Sequence, residues 1–389
     1  MHRYPALVSL VVLAACAPET GKVVGPGSLD GGAAGPGEVL LTVSGEKLAL
    51  GGYPFPPVAA DDVAFVDGWE LQFSRVLVTV DTVRLAENPD RSPTDQAQTD
   101  AVVAELRGPW AVDLHRGGPL VGAGGGDERA VAIGVFRNQN KNGGTAFDLT
   151  KRYAFGFDLV AASLDAANVN LDETGWADYR LMADQGLTVL YVGTATFKGT
   201  GCRSVGSYDF TQLPGVVNFR FGFKAPATFV NCQNPLNTGK AFDNEESQRG
   251  VQVLANRGVV AQVTVHTDHP FWESFVHDAQ LHFDPLAARA MRSDGVWTVT
   301  LDNLVGVDFT SFVDQAGATL PARSCVGEAY VPGPGALGYD PGTVPHDPGA
   351  TSDRALRDFR DYVTYAVSTE GHLNADGLCA VRRNYPSPP

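Results

Sequence analysis

Eight residues, Val216–Phe223, alternate with a period of two: Phe219, Phe221 and Phe223 fall on one side, Asn218, Arg220 and Gly222 on the other. A helix would scatter these rings around its circumference, whereas a strand gathers them on one face. A strand with one aromatic and one polar face needs a core on one side and water on the other, as in antiparallel sheets. Similar short runs recur along the chain, at Val39–Val43, Trp69–Phe73, Val76–Val80, Ala130–Phe136, Tyr153–Val160, Leu187–Phe197 and Val251–Val265, and turn residues such as Asn142-Gly143-Gly144 separate them. The alternation changes phase at Ser74-Arg75, which predicts a bulge.

Helical signals are fewer. Leu356, Phe359, Val363 and Val367 recur at helical spacing, between Thr351-Ser352-Asp353 as an expected N-cap and Gly371 as an expected stop. Shorter helices are expected over 175–185, 270–277 and 285–291, the last with Asp284 as N-cap and Pro285 at its first position. The expected fold is mainly β: an antiparallel β-sandwich or barrel-like body with a few short peripheral helices and one C-terminal helix. It would occupy residues 38–389, with a subdivision point near residue 200.

The N-terminal 15 residues carry Arg3 and an apolar run, Ala6 to Ala15, too short to span a bilayer. They read as a signal peptide (1–15). Leu13-Ala14-Ala15-Cys16 resembles the lipobox of bacterial lipoproteins, which implies cleavage before Cys16 and a lipid on its thiol. Residues 16–37 are rich in Gly, Pro and Ala and read as the lipidated cysteine and a flexible tether, with a reach of roughly 25 Å. Ala17 follows the cysteine where inner-membrane lipoproteins of enteric bacteria carry Asp. The resemblance therefore implies the outer membrane, with the lipid as the membrane contact. Asp67-Gly-Trp-Glu-Leu-Gln-Phe-Ser-Arg-Val76 is in addition similar to segments of small all-β domains in bacterial surface lipoproteins.

A net charge of −15 disfavours nucleic acid as a partner, because phosphate neutralisation needs a surplus of Lys and Arg. Beyond Cys16 there are four cysteines, Cys202, Cys232, Cys325 and Cys379. An even number in an exported chain predicts two disulfides. Three connectivities are open, and the most local is Cys202–Cys232 with Cys325–Cys379. No pair has the close spacing of a Zn(Cys)₄ site.

Residues 265–284 hold four of the eight histidines, His266, His269, His277 and His282, among Asp268, Glu273, Asp278 and Asp284. Neutral imidazoles with a carboxylate suit Zn²⁺ or Cu²⁺. If the strand runs to Asp268, His266 and Asp268 share a face. His266, Asp268, His269 and His277 then form an expected shell, with His282 as an outer or alternative ligand. The interleaved Phe271, Trp272, Phe275 and Phe283 allow another reading, an aromatic lid whose histidines are merely hydrogen-bonded. His266-Thr-Asp-His269 is similar to the second half of the H-x-H-x-D-H signature of metallo-β-lactamase-fold hydrolases, although Thr264 replaces the first histidine. That resemblance implies His266 and His269 as metal ligands and Asp268 as ligand or base. No G-x-S-x-G, P-loop or dinucleotide fingerprint accompanies it. The sequence thus favours a lipid-anchored extracytoplasmic binding or structural protein, with a metal held by the His/Asp cluster and a hydrogen-bonded aromatic lid both open as readings of that stretch, and a metal-dependent hydrolase as the alternative.

Overall fold

The computed structural model describes residues 22–23, 34–59, 62–123, 129–327, 330–351 and 355–383. The expected signal peptide, Cys16 and most of the tether lie outside the described residues. Two tether residues, Lys22–Val23, run parallel to Ala167–Asn168.

The main strands are β1 (Val39–Ser44), β2 (Trp69–Ala86), β3 (Arg129–Phe136), β4 (Arg152–Leu159), β5 (Val189–Phe197), β6 (Val216–Phe223), β7 (Val259–Val265), β8 (Val296–Thr300) and β9 (Gly371–Leu373). The main helices are α1 (Glu173–Gln185) and α2 (Phe359–Val367). With 35% strand against 12% helix, the protein is mainly β.

A curled sheet is built on β2, which spans 18 residues. Its first half pairs antiparallel with β5 and its second half with β4. Arg75 faces Val192 while Phe73 faces Gly193, so Ser74 is the extra residue of a bulge, where the phase change predicted one. β6 follows β5 antiparallel and buries Phe219, Phe221 and Phe223 on one face, as expected from their alternation. The expected subdivision near residue 200 falls between these two paired strands.

The sheets are mixed rather than purely antiparallel. β8 runs parallel to β6, and in the smaller sheet β7 runs parallel to β1. All six residues of β1 are buried, which suits a parallel neighbour with both faces covered. These two pairs join strands far apart in sequence, which leaves room for the long crossover that parallel pairing needs.

α1 begins at Asp172, whose carboxylate accepts from Gly175 N, and ends at left-handed Gly186, close to the expected limits. α2 starts later than its sequence pattern predicts. Asp358 is the N-cap, because its carboxylate accepts from Asp361 N, while Ser352 and Asp353 of the expected cap lie outside the described residues. Gly371 opens β9 rather than closing the helix. Of the expected helix 270–277 only a 3₁₀ turn, His269–Phe271, forms. Asp284 does not cap the turn Asp284–Ala287, because its carboxylate is taken by Trp69 and Arg323.

The disulfides join Cys202 to Cys325 and Cys232 to Cys379, correcting the local pairing. Strand pairing explains both. Arg203–Ser204 pairs with Arg323–Ser324, which sets Cys202 beside Cys325. Ala227–Val230 pairs with Ala380–Arg383, which sets Cys232 beside Cys379. Each bridge spans more than a hundred residues. On loop-closure entropy such a bridge restricts the unfolded chain by about 4–5 kcal/mol. Two disulfides fit an oxidising, extracytoplasmic compartment. Among the described residues no helix is long and apolar enough to cross a membrane.

Candidate metal centre

The histidines gather where β7 leaves the smaller sheet. β7 ends at Val265, and Thr264 pairs directly with His372 on β9. His266 is thus a diagonal neighbour of His372 on the same face. Their rings stack with centroids 4.1 Å apart. The chain then turns through His269–Phe271 and returns His269 to the pair, at 5.8 Å from His266 and 5.5 Å from His372.

One ligand atom from each of His266, His269 and His372 lies within 4.8 Å of the other two. A second group shares His266 and adds His277 and Asp376 within the same limit. His269 and His372 are each only 2% exposed, whereas the side chain of Asp376 is 61% exposed. The cluster is therefore a buried base of three imidazoles with an open rim.

Hydrogen bonding identifies the free lone pairs. Thr369 Oγ1 donates to Ala366 O, so it can only accept from His269 Nδ1, 2.8 Å away. His269 Nδ1 thus carries the proton and Nε2 is left bare. His269 Nε2, His266 Nε2 and both ring nitrogens of His372 are buried with no hydrogen-bond partner among the described residues. Buried polar atoms are normally satisfied, so three converging unsatisfied imidazoles need an explanation. A cation bound among them supplies one.

The electrostatics agree. Burial, reinforced by the neighbouring imidazoles, holds His269 and His372 well below the ordinary histidine range, and burial lowers His266 too. Neutral imidazole is the metal-binding form. Burial raises Asp268 and raises Glu370 well above the carboxylate range, where Tyr191 Oη donates to Glu370 Oε2 at 2.7 Å.

These shifts have a sign in stability. Unfolded histidine takes up a proton below about pH 6.5, while His269 and His372 resist it in the fold. Their contribution is therefore complete above about pH 6.5 and is lost as the pH falls toward their depressed folded values. In the metal-free protein, His372→Phe should lose less melting temperature than the wild type between pH 7.5 and 5.5. Equal losses in parallel thermal melts would show that His372 is not held neutral.

The expected shell is only partly assembled. His266, His269 and His277 are in place, although His269 and His277 belong to different groups. Asp268 is in neither group, and its Oδ2 accepts from Trp272 Nε1 at 3.3 Å. The alternation argument failed there because the strand stops three residues earlier, at Val265. His282 sits in a separate buried network. Its Nε2 is 3.0 Å from Glu273 and its Nδ1 3.9 Å from Asp67. Burial alone would lower His282, but the Glu273 hydrogen bond and Asp67 raise it. Burial and Asp284 push Asp67 up to about 7.

Sequence reasoning missed His372 and Asp376. They flank the turn at Asn374-Ala375, both left-handed. A histidine four residues before an aspartate, across such a turn, was the available signal.

No known family, curated protein or solved structure matches this chain. The site is therefore read from its own chemistry.

Proposed function

We propose that this is a lipid-anchored extracytoplasmic protein of the outer membrane that binds a divalent transition metal, Zn²⁺ or Cu²⁺. His266, His269 and His372 form the base of the site, and His277 or Asp376 closes it from the rim. The observation that carries this reading is the convergence of three buried imidazoles on which His266 Nε2, His269 Nε2 and both nitrogens of His372 make no hydrogen bond among the described residues. A nitrogen-rich set with one carboxylate suits Zn²⁺ and Cu²⁺ better than the oxygen-seeking Ca²⁺ or Mg²⁺. Calorimetric titration of the purified chain with Zn²⁺ and Cu²⁺ tests it. Failure of both to bind more tightly than about 100 µM, or about −5.5 kcal/mol, removes the metal reading.

The anchor rests on Leu13-Ala14-Ala15-Cys16 and the acidic chain, which makes electrostatic attachment to anionic lipid a poor alternative. Cys16→Ala should move the protein from the membrane to the soluble fraction. Retention on the membrane would argue for a different attachment.

A further inference from the structure

A second concavity, which shares no residue with the histidine cluster, has a volume of about 710 Å³. It lies between α2, the end of β6 and the 343–345 segment. That volume is typical of pockets for small organic ligands.

Its charge runs against that of the chain. Lys224, Arg357, Arg360 and Arg383 line it against Asp302 and Asp361, four cations less two carboxylates, or +2, in a chain of net charge −15. Asp361 is engaged by Arg357, through Nε at 2.5 Å and Nη2 at 2.9 Å. Arg360 reaches a carboxylate only at 4.0 Å, and Lys224 is exposed with no partner among the described residues. Arg383 is held in place: its guanidinium lies 3.8 Å over the Tyr365 ring and its Nε donates to Ser368 Oγ at 2.8 Å. Among the described residues its Nη atoms have no hydrogen-bond partner. A stacked guanidinium fixed through one nitrogen is pre-organised to present the others to an anion. The remaining wall carries an apolar group, Leu301, Val344 and Leu356, beside Thr343 and Thr364.

We propose that this cavity binds a small amphiphilic organic anion, its carboxylate or phosphate held by Lys224, Arg360 and Arg383 and its apolar body set against Leu301, Val344 and Leu356. Paired cations alone would account for a salt-bridged surface, but not for cations with open donors beside an apolar wall. The two halves of the lining match the two halves of such a ligand, and the reading is independent of the histidines.

The test is calorimetric titration of the full chain with decanoate, decyl phosphate, inorganic phosphate and decyltrimethylammonium, each below its micelle concentration. At least one of the two amphiphilic anions should bind tenfold or more tightly than inorganic phosphate and than the cation of the same tail. Which of the two binds identifies the head group. Lys224→Ala combined with Arg360→Ala should weaken that binding at least tenfold while circular dichroism and Zn²⁺ binding stay unchanged. Absence of binding, equal binding of the cationic amphiphile, equal binding of inorganic phosphate, or an unaffected double variant would each overturn the proposal.

Discussion

His372→Ala should lower the affinity for Zn²⁺ by about 1,000-fold, some 4 kcal/mol, with His266→Ala and His269→Ala close behind. Loss of an outer partner of a metal site typically costs about 10–100-fold, and a buried ligand at the base should cost more. The rim behaves differently. His277 and Asp376 are more exposed and form a group with His266, not with His269 or His372. His277→Ala or Asp376→Ala alone should cost about tenfold or less, by the same comparison. His282→Ala should leave Zn²⁺ affinity unchanged, because that ring is committed to Glu273 and Asp67. Calorimetry on the set distinguishes the readings. If His372→Ala binds as the wild type does, the three-histidine base is wrong. If His282→Ala abolishes binding, the metal lies in the other network.

The second large effect concerns stability. Arg323→Met should destabilise the fold by about 3–5 kcal/mol, the cost of breaking a buried ion pair from one side. Arg323 and Asp284 are buried and bonded twice, Nε to Oδ2 at 2.7 Å and Nη2 to Oδ1 at 2.6 Å. Trp69 Nε1 donates to the same carboxylate at 2.8 Å. Methionine keeps much of the side-chain volume but removes the guanidinium, which lies 4.0 Å over the Phe197 ring and 4.6 Å over the Phe210 ring, and leaves the Asp284 charge without its partner. Combining Arg323→Met with Asp284→Leu should recover part of the loss, since an apolar pair can replace a buried ion pair. Urea unfolding measures both variants. A loss below about 1 kcal/mol for the single variant would mean that water reaches Asp284 and screens it.

This network also explains the segment Asp67–Val76. Asp67 Oδ2 accepts from Phe283 N and Asp284 N, both at 2.7 Å, and Trp69 reaches Asp284. Asp67 and Trp69 thus tie the start of β2 to the chain that follows the histidines. Their polar atoms serve the fold and form no part of the histidine cluster.

Where sequence and structure agree, the information is local. The Phe219–Phe221–Phe223 face follows from a two-residue repeat, the Ser74 bulge from a change in its phase, and α1 from the 175–185 stretch before Gly186. Each depends on neighbours along the chain. The histidine cluster was half legible for the same reason: His266 and His269 are close in sequence, and one turn brings them together. His372 comes from more than a hundred residues away and is placed by strand pairing alone.

By itself, then, the sequence determined a mainly β chain, four cysteines beyond Cys16, a histidine-rich stretch and an acidic charge that disfavours nucleic acid. These are properties of composition and short-range periodicity. The tertiary structure decided which cysteines join, which strands run parallel, and that His372 completes the base while Asp268 and His282 stand apart. Each of these depends on the register between distant strands. A register shift of one residue would turn His372 to the opposite face of its sheet, and no local pattern in the chain specifies that pairing.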